Sequence, residues 1–250
     1  MAFDPRGLKY SSDGIPYLKK AELEDVAHEV LAKHCPSVFE KPSFTPVLDI
    51  IGGLMATTPL KHAIEELGYN GKAKILGKVS FHLKSLFLDI ALTHERKIQF
   101  RFTAAHEIGH WILHRYNYKN WRLEGKKVNA DHLEDDEDSL CRLEEKSPLD
   151  WLEWQANVFA SALVMPKEPF IYALVKNQKT LGIDKNLGLV FVSNNQKSNL
   201  DYQNILTSLS SLFDVSKQSV RVRLHALGML QDERTTAFKS ARQALSTGEI

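Results

Sequence analysis

A chain of 250 residues is long enough to bury a substantial core, and its 43% hydrophobic and 25% charged residues exclude a disordered chain. The 32 basic residues nearly cancel the 31 acidic ones, so no global basic field draws in nucleic acid, and DNA binding would need a local patch. Cys35 and Cys141 lie far apart with no C-x-x-C spacing, residues 1–6 hold no apolar leader core, and no run of about 18 apolar residues occurs. These features predict free thiols in a reducing compartment and a soluble cytoplasmic protein with no membrane partner.

In chain order, residues 1–18 are rich in Gly, Pro, Ser and Asp and read as an irregular lead-in. Leu23, Val26, Ala27, Val30 and Leu31 then recur at helical spacing and predict a helix over about 19–33. Thr58-Pro59 has the form of an N-cap followed by proline at the first helical position, with Gly68 as a stop, so a short helix is expected over 59–67. Between 73 and 92, Ile75, Val79 and Phe81, then Leu86, Leu88 and Ile90, alternate with other residues on either side of Lys84-Ser85, which predicts a pair of strands. Thr93 is placed to cap a long helix whose apolar stripe is Ile98, Phe102, Ala105, Ile108, Ile112 and Leu113.

The stretch 117–146 is polar and contains the run Glu134-Asp135-Asp136-Glu137-Asp138, which lacks an EF-hand pattern and reads as a solvated loop. Ser147-Pro148-Leu149-Asp150 is a capping box with proline at the first helical position, so a helix is expected to begin there and stop before Pro166. Beyond Pro169 the sequence predicts a short helix, an apolar run over 187–192, a polar stretch over 194–199, a helical pair over 202–230, and a polar tail over 231–250.

The chemistry concentrates in the long helix. His106-Glu107-Ile108-Gly109-His110 is an H-E-x-x-H pattern, and residues four apart on a helix share one face about 6 Å apart along the axis, so the two imidazoles can grip one zinc ion. Glu107 projects beside that position, where it can take the proton of a water acidified by the metal. Chance alone yields the pattern in roughly a few per cent of chains this long, and the competing reading is two surface histidines beside a glutamate. Gly109 argues for the site, because a helical glycine costs about 1 kcal/mol relative to alanine and is expected where backbone or substrate approaches closely.

A catalytic zinc site needs a third protein ligand and an open position. His114 lies about 12 Å from His106 along the axis, out of reach of the same ion, and is expected to pack or hydrogen-bond nearby. Glu153, on the separate capped helix and flanked by small Ala156 and Ala160, is the leading candidate, with an ordinary solvent-facing glutamate as the alternative. Asp131, His132 and Asp150 are rivals whose setting fixes no geometry.

Two blocks, Phe102-Thr103-Ala104-Ala105-His106-Glu107-Ile108-Gly109-His110-Trp111-Ile112-Leu113-His114-Arg115 and Glu153-Trp154-Gln155-Ala156-Asn157-Val158-Phe159-Ala160-Ser161 followed by Leu163-Val164-Met165-Pro166, resemble the ImmA/IrrE family of metallopeptidases, in the family's order. Phe87-Leu88-Asp89-Ile90 also fits, and the resemblance covers about 19–170. It implies an α+β, mainly helical fold: a minimal thermolysin-like (zincin) core with a small antiparallel sheet, in which Glu153 completes a site for one zinc ion, with manganese as the alternative. It also implies a substrate class, helix-turn-helix transcriptional repressors of phages, mobile elements and stress responses, or antitoxin-like proteins. The acidic insert, 131–145 at its core, departs from the family pattern.

Phe213-Asp214-Val215-Ser216, with Val220, Arg223-Leu224 and Leu227-Gly228, resembles the helix-turn-helix-like segment that follows the peptidase core in that family. The expected organisation is therefore a peptidase domain over 19–170 and a helical segment over 171–230. Lys217, Arg221 and Arg223 are its available cations for docking DNA or a repressor, the other reading being a helical brace. Three functions follow: a zinc endopeptidase that cleaves a repressor, with Glu107 as base and Tyr116, Tyr118 or His114 near the oxyanion; a metal-bound regulator that binds without cutting; and a zinc hydrolase of a small amide.

Overall fold

The computed structural model of the protein describes residues 8–12, 14–116, 118 and 148–234, and the chain divides into two compact units, Met1–Lys167 and Glu168–Ile250. Asp131, His132, the acidic run, Cys141, Ser147 and the tail over 235–250 lie outside the described residues.

In the first unit the lead-in is irregular but docked. Tyr10 bridges to Pro16, and Ile15 and Leu18 are buried. Helix α1 (Lys20–His34) starts where the Lys19 N–H donates to Glu22 Oε2 at 2.6 Å, and it buries Leu23, Val26, Ala27 and Leu31 as their spacing predicts. A short α2 (Ser37–Glu40) follows a buried free thiol, Cys35. Helix α3 (Val47–Thr57) then buries Val47, Ile50, Ile51 and Leu54.

Thr58 ends this helix rather than starting one. Its backbone is extended (φ −136, ψ 163) and its hydroxyl donates to the Leu54 carbonyl at 2.7 Å. The helix expected over 59–67 is instead a strand, β1 (Lys61–Glu65). Local preference loses because β1 runs parallel to β5 (Ser85–Asp89) in a register from Lys61 opposite Ser85 to Glu65 opposite Asp89, and that pairing is non-local.

The expected strand pair is present: β4 (Gly77–Ser80) and β5 form an antiparallel hairpin with Lys84 at a positive φ of 54° in the turn. The sheet order is β1-β5-β4, so β5 is central and β4 is an edge. A two-residue pair, β2 (Tyr69–Asn70) and β3 (Ala73–Lys74), sits between β1 and β4 in the chain. Asp89 ends β5 fully buried, accepting from the N–H groups of Leu67 (2.7 Å) and Ala91 (2.9 Å) and pairing with Lys74 at 3.3 Å.

Thr93 does not cap the long helix; it lies inside a short α4 (Ala91–His94) and its hydroxyl donates back to the Ile90 carbonyl. The long helix, α5 (Lys97–His114), starts after Arg96, whose φ of −122° and ψ of 39° break the helical path. Ile98 is exposed, so the stripe begins later than expected, with Ala105, Ile108, Ile112 and Leu113 buried. Helix α6 (Pro148–Val164) stops before Pro166, as predicted. Among the described residues α5 packs more extensively on α6 than any other pair of elements does, with α1 also against α6. The helices and this small sheet make a mainly helical α+β zincin-like fold.

The second unit contains α7 (Lys167–Thr180) after its first residue, β6 (Val190–Val192), α8 (Gln196–Phe213), α9 (Lys217–Ala226) and β7 (Leu230–Asp232). The polar stretch 194–199 is a helix start: Asn195 Oδ1 accepts from the N–H of Lys197 at 2.8 Å, so α8 begins earlier than the apolar pattern suggests. Asp214, left-handed at φ 51°, closes α8, and Ser216 Oγ accepts from the Ser219 N–H to open α9. The apolar run over 187–192 supplies β6, which pairs parallel with β7. Arg234 bonds both Asp232 and Asn199, so the start of the expected loose tail is held. No single helix among the described residues is long and apolar enough to cross a membrane.

Candidate metal centre

Helical geometry puts His106 and His110 on one face of α5, and Glu153 of α6 meets them there. Their ligand atoms lie within 4.8 Å of one another. His106 Nε2 is 3.2 Å from Glu153 Oε2, His110 Nε2 is 3.6 Å from Glu153 Oε1, and the two Nε2 atoms are 3.0 Å apart. Two imidazole nitrogens that close cannot both point lone pairs at each other without a positive charge on or between them. Glu153 Oε1 has no hydrogen-bond partner among the described residues. Two imidazole nitrogens and one carboxylate, all within reach of a single point, fit a divalent metal cation of the zinc kind.

Three small features make this convergence achievable. A Cβ at Gly109 would come 2.9 Å from Phe159 Cδ1 and 3.4 Å from the Cα and carbonyl oxygen of Ala156, so the missing side chain lets the α6 backbone sit against α5. The close approach that the glycine signalled is thus backbone. Ala105, Ala156 and Ala160 are fully buried in the same unit. Arg115 closes α5 by donating to the carbonyls of Trp111 and Ile112.

A second layer of hydrogen bonds orients the ligands. His106 Nδ1 bonds Asn157 Oδ1 at 2.9 Å, one turn beyond Glu153 on α6. His110 Nδ1 bonds His114 Nδ1 at 3.0 Å, and His114 Nε2 bonds Gln155 Oε1 at 3.0 Å. Motif spacing places Asn157 beside Glu153, but nothing in the sequence links Gln155 to His114, because the link crosses between two helices.

Electrostatics separate the two glutamates. Burial raises the Glu153 carboxyl, but His110 and His106 outweigh it and hold the group well below the usual carboxylate range. His106 is raised in turn, with Glu153 outweighing burial. Glu107 is buried without a hydrogen-bond partner on either oxygen among the described residues. Burial pushes its carboxyl up to about 8, with His106 pulling down and Glu153 pushing up. A cation among the three ligands opposes that rise. Burial, reinforced by His110, pushes His114 down to about 3, so its ring is neutral.

Among the rival ligands, Asp150 is exposed and does not belong to the converging group. The oxyanion candidates are also placed. Both ring nitrogens of His114 are engaged behind His110, which removes it from that role. The Tyr116 hydroxyl accepts from Arg115, and Tyr118 stacks on Phe81 with ring centroids 5.3 Å apart. In the second unit Arg223 is 1% exposed, so it is not an available cation.

No curated protein matches the chain. The family model described as the IrrE N-terminal-like domain, peptidase M78, matches residues 77–225, from the first residue of β4 nearly to the end of α9. Since that match covers more than half of the chain and includes both helices that bring His106, His110 and Glu153 together, the chain belongs to the peptidase M78 family of IrrE N-terminal-like domains.

Proposed function

We propose that this protein is a zinc-dependent endopeptidase that cleaves a helix-turn-helix transcriptional repressor at one bond. The observation that carries the hydrolytic reading is the placement of a buried carboxylate, Glu107, with no hydrogen-bond partner among the described residues, beside the His106, His110 and Glu153 group. A site meant only to bind metal has no use for a buried base. When bound, the zinc ion supplies Lewis acidity for the attacking water and the scissile carbonyl. Glu107 takes the proton from that water and hands it to the leaving amine nitrogen. His106, His110 and Glu153 hold the ion, while Asn157 and His114 fix the two rings.

An extended peptide suits this site better than a small amide. Edge strand β4 begins at Gly77, whose neighbour across the site is the Glu107 carboxylate, and its outer edge pairs with no other strand among the described residues. A substrate chain adding to that edge would carry its carbonyls past the base. Repressor as the substrate rests on the ImmA/IrrE resemblance together with membership of the family. Burial of Arg223 weighs against DNA as the ligand of α9.

The test is co-expression of the wild-type chain, and separately of Glu107→Gln, with the helix-turn-helix repressor encoded nearest to it, followed by intact mass measurement. Two fragments whose masses sum to the repressor plus one water are expected with wild type. Glu107→Gln should slow their formation by about 10²–10⁴-fold while still binding zinc. Equal cleavage by both would remove Glu107 from the chemistry, and an intact repressor that stays bound to zinc-loaded wild type would favour the non-cutting regulator.

A further inference from the structure

The hydrogen bonds behind His110 admit only one direction. A backbone carbonyl can only accept, so the Gln155 side-chain nitrogen must donate to the Pro16 oxygen, 2.6 Å away. That orientation turns Gln155 Oε1 towards His114, whose Nε2 at 3.0 Å must therefore carry the hydrogen. His114 is buried, and as a neutral ring it then has a bare Nδ1 facing His110 Nδ1 at 3.0 Å. His110 must supply that hydrogen. Its own Nε2 is left as a lone pair, and this is the atom that lies 3.0 Å from His106 Nε2 and 3.6 Å from Glu153 Oε1.

We propose that His114 and Gln155 are positioning residues that lock His110 in its Nδ1–H tautomer, with the Pro16 carbonyl of the N-terminal lead as the fixed end of the chain. A free imidazole in water prefers its hydrogen on Nε2, the wrong form for this site, so the tautomer has to be imposed. His106 has a one-step device, Asn157 on α6; His110 has a three-step one that ends outside the helix pair, at residue 16. The lead-in thereby becomes part of the metal centre's support, although it lies 94 positions before the ligand it serves (110 minus 16). Outer partners of this kind govern ring orientation and ligand basicity.

This inference rests on the metal-centre reading, and the test separates the two. Zinc affinity of the full chain is measured by chelator competition for wild type, His114→Leu, His114→Gln and Gln155→Met, and ring nitrogen NMR of the metal-free wild type reports the His110 tautomer. His114→Leu and Gln155→Met should weaken zinc binding by about 10–100-fold, with His114→Gln restoring most of it, since an amide can accept from His110 and donate to Gln155. The His110 ring should carry its hydrogen on Nδ1. Wild type that binds no zinc overturns the metal centre itself. Wild type that binds zinc while both disrupting variants stay within about twofold of it, or a His110 ring protonated on Nε2 alone, overturns the lock and leaves the centre standing. Should His114→Leu fail to fold, Gln155→Met and the wild-type ring spectrum decide on the same criteria.

Discussion

Glu107 and Gly77 show how much of the site depends on single atoms. A Cβ at Gly77 would stand 2.8 Å from Glu107 Cγ and 2.9 Å from Cδ, so the glycine makes the space in which the carboxylate sits. The group that must yield is the Glu107 side chain from Cγ outward rather than backbone, so Gly77→Ala should still fold, with a lowered midpoint. It should also bind zinc, because the three atoms nearest the intruding methyl all belong to Glu107 and none to His106, His110 or Glu153. On the proposed function, displacing the Glu107 carboxylate should lower the rate of repressor cleavage on the order of 10²-fold, and timed mass measurement of the fragments checks this. The sequence singled out His106, Glu107 and His110 because their relation is set inside one helix. Gly77 was not legible there, since its role depends on a strand 30 positions earlier lying against that helix (107 minus 77).

Elements carry the next tier of argument, above all the α5–α6 contact. Gly109→Ala should gain about 1 kcal/mol of helix propensity and lose about 1–3 kcal/mol to overpacking against Phe159 and the Ala156 backbone. The decisive readout is metal affinity: prying α5 from α6 moves Glu153 away from the histidine pair, so zinc should bind more weakly even where thermal melting shows a small change. Asp89 plays the corresponding part at the end of β5. Burial raises its carboxyl, but the N–H groups of Leu67 and Ala91 and the Lys74 ammonium outweigh this and lower it. A carboxyl lowered on folding stabilises above its ordinary value of 3.8, and that contribution is lost as pH falls through the folded value. Asp89→Asn should therefore cost about 1–3 kcal/mol at neutral pH and remove part of the acid sensitivity, as read from urea midpoints between neutral and acid pH. Elements with a strong internal pattern, α1, α5 and α6, were legible in the sequence, as was the β4–β5 hairpin. The segment 59–67 was not, because helix and strand readings of Lys61–Glu65 differ only by the partner β5.

For the whole molecule, metal binding should be visible as stability. A ligand that binds only the folded state at 100 times its dissociation constant adds about 2.7 kcal/mol, so zinc should raise the unfolding midpoint and a chelator should reverse it. Trp111, Trp151 and Trp154 belong to the unit Met1–Lys167 together with His106, His110 and Glu153, so tryptophan fluorescence is the probe, and Glu153→Ala should abolish the zinc-dependent shift. Local pattern was enough to find the helix bearing H-E-x-x-H, the second motif helix, and the family to which they point, because i to i+4 spacing is set within a single stretch of chain. Packing across elements was needed to bring Glu153 to the two histidines, to set α6 backbone against Gly109, to make 61–65 a strand, to bury Arg223, and to link Pro16 to the His106–His110–Glu153 group through Gln155 and His114. Each of those facts is a meeting of residues distant in sequence, and such meetings are fixed by packing and hydrogen-bond satisfaction across elements rather than by any pattern within one.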